Sequence, residues 1–157
     1  MTDEENEKSL HDRVKDDIAE AFRAGDRHRT DVLRTLLGDA VKDARRKEVR
    51  LPTDAEMIGH LRKFVANAEL MASSLERAGR PEDAARSRSE AAFLSEYLPP
   101  SVSDDDVRTF LSGLKASGAL PAGNAAMGAA MKALRDRYGD SFDGRTMTPL
   151  VKEALSS

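Results

Sequence analysis

The stretch TDAEMIGHLRKFVANAELMASSLERAG, residues 53–79, decides the fold class. Thr53 and Glu56 stand at the spacing of a capping box, in which the hydroxyl and the carboxylate each satisfy a backbone N–H that a helix start leaves open. Met57, Leu61, Phe64, Ala68, Met71 and Leu75 follow at steps of three or four, which predicts one apolar stripe over about five turns. Gly79 supplies a residue free to adopt the left-handed stop conformation. A long helix that is apolar on one side only must bury that side against other elements.

The flanking sequence supplies those elements. Leu10, Val14, Ile18 and Ala21 predict a helix over residues 8–24, ended by Gly25, with Asp26 placed to cap the next one. Residues 27–47 carry the stripe Leu33, Leu36, Leu37, Ala40, Val41 and Ala44, with Gly38 off it. Pro81 fits the first turn of a fourth helix, which continues through Ala84, Ala91, Leu94 and Leu98 to the break at Pro99-Pro100. Beyond the prolines, Ser103 caps a helix whose first turn holds Asp104, Asp105 and Asp106 and whose face holds Val107, Phe110, Leu111 and Leu114. A Gly/Pro/Ala linker then leads to a helix over residues 124–137, and residues 139–144 read as a turn-rich loop. Thr148-Pro149 reads as the N-cap and first residue of a last helix ending near Leu155. No stretch alternates with period two. The expectation is an all-α chain: an acidic, frayed start (1–7), an N-terminal four-helix bundle (8–98), a linker (99–102) and a small three-helix C-terminal domain (103–157).

Composition narrows the function. Of 157 residues, 39% are apolar and only 4% aromatic, so the core rests on Leu, Val, Ala and Met. With no cysteine, disulfides, thiolate catalysis and Cys-ligated zinc are excluded. No secretory signal or bilayer-spanning apolar run is visible, and a cytoplasmic location fits. A formal net charge of −3 argues against strong non-specific nucleic-acid binding but leaves room for a local basic face.

The usual catalytic constellations are missing: no phosphate-binding glycine loop, no nucleophile elbow. Glu56 and His60 stand four apart and could share a metal, but a pair without a third ligand is weak, and capping explains Glu56 better. Asp140–Gly144 faintly resembles a calcium loop, yet Val151 stands where the twelfth-position Glu belongs, so an Asp-Gly turn is the preferred reading. The contiguous acids at 104–106 and at 16–17 splay around a helix instead of converging. No catalytic residue, cofactor or metal is expected.

The basic residues are the informative ones. At 100° per residue, Arg27, Arg34 and Arg45 fall within about 20° of one another; Lys42 lies near them, and Arg46 and Lys47 follow. This is either a phosphate-facing stripe or the polar face of an amphipathic helix, diluted by Asp31 and Asp39, and the second reading is favoured. A weaker set comprises Lys132, Arg135, Arg137, Arg145 and Lys152. No aromatic is seen to interleave with either set as a stacking platform. Met127 and Met131, beside Gly128 and several alanines, read as core packing where small residues let a neighbouring helix approach closely.

Several stretches in order carry a resemblance: residues 10–18, Thr30–Leu37 with its Leu-Arg-x-Leu, Arg77-Ala-Gly-Arg80 followed by Asp83, Glu90–Pro99 ending Glu-Tyr-Leu-Pro, Asn124–Met131 and Asp143-Gly144. Together they resemble the GatB/YqeY family over essentially the whole chain. That family's terminal domain also forms the tail of the B subunit of tRNA-dependent amidotransferases, where it helps hold tRNA, and similar appendages on a glutaminyl-tRNA synthetase aid tRNA binding. The resemblance therefore implies an accessory module that binds tRNA, or a tRNA-charging or amidotransferase enzyme, with a carbon–nitrogen ligase label inherited from the larger enzyme whose catalytic domain this chain lacks. Met127, Gly128, Met131, Asp143 and Gly144 match the family pattern as packing and turn positions. Lys132, Arg135, Arg145 and Lys152 lie where relatives are lysine-rich; the charge is thinner here and the loop 138–142 is longer, which implies weak tRNA affinity. The alternative is a helical protein–protein adaptor that binds no RNA, marked by an exposed apolar patch.

Overall fold

A computed structural model of the chain describes residues 8–156, so the expected frayed start at 1–7 lies outside the described residues. Within them are seven α-helices and no strand, as the all-helical reading expects. The chain divides into two compact units, one up to Leu98 and the other from Pro99 onward.

The first unit holds α1 (Leu10–Arg23), α2 (Arg27–Lys47), α3 (Asp54–Arg77) and α4 (Pro81–Ser95). α1 starts two residues later than its periodicity predicts, because Ser9 accepts the Asp12 N–H as N-cap. The carboxylate of Asp54, at the head of α3, accepts the Leu10 N–H at 2.9 Å and ties the two helix starts together. α2 has the predicted limits, and its cap Asp26 accepts the Arg29 N–H at 3.1 Å. At α3 the capping box is complete: Glu56 N–H donates to the Thr53 hydroxyl and Thr53 N–H to the Glu56 carboxylate.

Leu10, Val14, Leu33, Leu36, Met57, Leu61, Phe93 and Leu94 bring all four helices into one core. Each fully buried leucine contributes about 2 kcal/mol of transfer free energy. Farther along, α3 and α4 form a helical hairpin whose buried positions are alanines: Ala68 and Ala72 on one side, Ala84 and Ala91 on the other. This close approach overturns one expectation. Met71 is 56% exposed, and Ala72, one position on, takes the buried place. α4 also stops at Ser95 instead of reaching Leu98. Tyr97 and Leu98 donate their N–H groups three residues back, a tightening turn that precedes Pro99.

The second unit holds α5 (Asp104–Ala116), α6 (Ala125–Tyr138), a single 3-10 turn (Gly139–Ser141) and α7 (Gly144–Ser156). Its own core comprises Val102, Val107, Leu111, Ala130, Leu134, Phe142 and Val151. Here Thr148-Pro149 is not a helix start. α7 begins a full turn earlier, where the Asp143 carboxylate accepts from the Arg145 N–H (3.2 Å) and the Thr146 hydroxyl (2.7 Å). Pro149 is thus internal, tolerated because the Arg145 carbonyl that loses its helical partner belongs to the exposed face, where water can serve it.

Candidate nucleic-acid interface

α2 is long enough to set out charges in a row. Its buried stripe (Leu33, Leu36, Ala40, Ala44) fixes its rotation and turns Arg27, Arg34, Lys42 and Arg45 to solvent. Arg27, Arg34 and Arg45 share one line along the helix, about 27 Å from first to last, with Lys42 about 60° to the side. Among the described residues, none of these four cations is in a salt bridge.

The remaining basic residues of residues 27–50 are committed to structure. Arg29 lies 5.2 Å from the Phe93 ring centre and 4.0 Å from the Glu96 carboxylate. Arg46 pairs with Asp43 (3.5 Å) and Lys47 with Glu56 (3.4 Å). Arg50 donates to Glu56 at 2.6 Å, and to Glu48 at 3.2 Å. Arg46, grouped with Arg34, Lys42 and Arg45 on sequence, stands about 100° from their line. Glu56 is held well below its ordinary carboxylate value, chiefly by the Arg50 guanidinium and then by the Thr53 N–H. It is a capping carboxylate, and its supposed metal partner His60 faces Asp43 at 3.2 Å. Among the described residues, no three His, Asp or Glu side chains gather to hold a metal ion.

An aromatic does join the α2 row. Phe22, at the end of α1, is 65% exposed, and the Arg34 guanidinium lies 5.5 Å from its ring centre. The expectation concerned a stacking platform interleaved with the basic residues; here one ring stands beside one arginine of the row. The ring comes from the preceding helix, brought alongside by the turn at Gly25, whose φ of +77° only glycine adopts without strain. The sequence signal was a phenylalanine drifting off the edge of the α1 stripe just before a glycine stop.

The C-terminal set is less united. Lys132 and Arg135 share a face of α6, and Arg145 and Lys152 share a face of α7. All are exposed. Arg137 stands about 160° from Arg135 around α6 and lies 5.2 Å from the Tyr138 ring centre. The motif positions have a packing explanation. A Cβ at Gly144 would sit 3.0 Å from Met131 Cε and 3.1 Å from Arg135 Nη2, so Met131 and Gly144 fit one another at the α6–α7 junction. Gly128 does not serve this way: it is exposed, and a Cβ there meets nothing within 4 Å.

A cavity of the second unit, about 790 Å³, is lined by Leu120, Pro121, Met127 and Leu155 together with Lys115 and Lys152. Its lining includes no carboxylate or imidazole to act as a base. Tyr97 has a strongly perturbed acidity, pushed up by burial and by its hydrogen bond to Asp17; it sits against the N-terminal core with Arg13 5.7 Å from its ring centre. That is a tie between α1 and the turn after α4, and the upward shift opposes a phenolate nucleophile. No helix among the described residues is long and apolar enough to cross a membrane.

The family model described as Yqey-like protein matches residues 11–155. No curated protein matches the chain.

Proposed function

The chain belongs to the Yqey-like protein family, and from that premise we propose that it is a non-catalytic accessory module that binds tRNA weakly, in the service of a tRNA-charging or amidotransferase enzyme. The observation that carries this reading is the row Arg27, Arg34, Lys42 and Arg45: four exposed cations with no salt bridge among the described residues, on a chain whose other α2-region cations are all paired. Phosphate binding draws on cations whose charge is not already neutralised. Lys132 with Arg135, and Arg145 with Lys152, add a second, smaller contribution; Arg46 and Arg137, turned elsewhere, add little. A carbon–nitrogen ligase label fits the larger enzymes of the resemblance, and the location proposed is cytoplasmic.

Sequencing the RNA co-purified with the tagged protein from cells tests this. Enrichment of tRNA that disappears after Arg34→Glu, Lys42→Glu and Arg45→Glu supports it; enrichment that survives the three reversals counts against it. One observation favours a second reading, a protein–protein adaptor: Leu70 and Met71 are 66% and 56% exposed and adjacent on α3. Recovery of one stoichiometric protein and no RNA selects that reading.

A further inference from the structure

We propose that the hollow at the α1–α2 turn is a nucleobase site that takes one unpaired, amino-bearing base of an RNA; this rests on the RNA-binding reading above and extends it from phosphates to a base. The hollow measures about 360 Å³ and is lined by Phe22, Gly25, Arg27, Thr30, Asp31 and Arg34, with Asp26. That is the lower end of small-molecule sites, suited to a single heterocycle.

Two of its lining residues are tied to the helix start. The Thr30 hydroxyl donates to the Asp26 carbonyl at 2.7 Å, and the Asp26 carboxylate is engaged with the Arg29 N–H as the cap of α2. Its chemistry is that of base recognition. Unpaired bases stack on aromatic rings and on guanidinium planes, and here Phe22 and Arg34 offer both, 5.5 Å apart. The Arg34 guanidinium lies over one face of the ring, and the ring, mostly exposed, leaves its other face open to a planar ligand. The Asp31 carboxylate, with no hydrogen bond or ion pair among the described residues, is an acceptor beside them. A carboxylate accepts from the exocyclic amine of cytosine or adenine and is repelled by the O4 carbonyl of uracil. Arg27, on the same wall, supplies the cation for the adjoining phosphate. An acid in this place weakens a pure phosphate site, so the combination of ring, guanidinium and acceptor points to a base.

The chain has no tryptophan, so Phe22→Trp in the full-length protein gives a single fluorescent reporter in the hollow. The probes are short dye-labelled oligoadenylate, oligouridylate and an abasic oligomer of equal length, so that anisotropy of the label reads binding in every variant, Phe22→Leu included, beside the quenching read in Phe22→Trp. Saturable quenching by oligoadenylate is expected, with weaker binding of oligouridylate. Loss of the stack in Phe22→Leu weakens oligoadenylate binding about tenfold, and Asp31→Ala removes the preference for adenine. Both positions are exposed, and circular dichroism verifies that each variant is folded. Equal binding of the abasic oligomer and oligoadenylate, unchanged in Phe22→Leu, overturns the base site while leaving phosphate binding intact. Absence of binding by all three overturns the base site and the RNA reading together.

Discussion

Replacing Arg34 and Arg45 with glutamine removes two of the four cations that α2 presents without a salt-bridge partner, while keeping a polar side chain of similar helix propensity. The consequence is legible in the α2 share of the salt dependence, to which the cations of the second unit add equally in wild type and variant. If all four cations contact phosphates, log K against log salt has a slope of about −2.8 to −3.6, from 0.7–0.9 counterions released per contact. Between 50 and 200 mM salt, affinity for tRNA then falls about 50- to 150-fold. The double variant, with two contacts left, has a slope of about −1.4 to −1.8 and loses only about 7- to 12-fold over the same range. Anisotropy of fluorescently labelled tRNA across a salt series reads these slopes directly. Arg46→Gln is the internal control: its partner is Asp43, it faces elsewhere on the helix, and its slope stays that of the wild type. An unchanged slope in the double variant, or a drop of the same size in Arg46→Gln, refutes the assignment of the α2 face.

Further outcomes concern the scaffold that aims this face. Leu94→Ala deletes about three buried carbons from the core shared by all four N-terminal helices, and chemical denaturation should show a loss of about 3–5 kcal/mol. Thr53→Ala removes the hydroxyl half of the α3 capping box and costs about 1 kcal/mol in the same assay. Because Glu56 is held below its ordinary value of 4.5, its contribution is fully present above that pH and fades as pH falls toward its lowered native value. Urea midpoints of wild type and Glu56→Gln should therefore differ at neutral pH and converge in acid. Gly144→Ala presses closely only on the far ends of the flexible Met131 and Arg135 side chains, with Phe142 in ordinary contact, and gains helix propensity, so it stays within about 1 kcal/mol of the wild type; the larger Gly144→Val costs about 1–3 kcal/mol.

Where local signals and packing agree, the sequence is a sufficient guide. Asp26 and Gly25 delimit the start of α2, and Thr53 with Glu56 announces α3, because a cap is a contact between near neighbours. Competition between two local signals defeats it at α7. Thr148-Pro149 is a good helix start, but the Asp143 carboxylate bonds the Arg145 N–H and the Thr146 hydroxyl one turn earlier and takes the role. Long-range packing defeats it at Met71. The three-and-four spacing permits that residue in the stripe, and only the alanine face of α4 makes Ala72 the buried one. The candidate site divides along the same line. Helical phase was enough to align Arg27, Arg34 and Arg45. Arg46 could be set apart only by its phase and its Asp43 partner together, and the meeting of Phe22 with Arg34 depends on how α1 returns against α2.

The central claim is that an exposed, unneutralised row on α2 holds tRNA. Filter-binding titration of the full-length protein with bulk tRNA at low salt tests it most directly, comparing the wild type with a chain carrying Arg27→Glu, Arg34→Glu, Lys42→Glu and Arg45→Glu. Saturable binding by the wild type, abolished in the reversed chain while its helicity is retained, is the predicted result. Equal retention of tRNA by the two proteins, or no saturable binding by either, contradicts it.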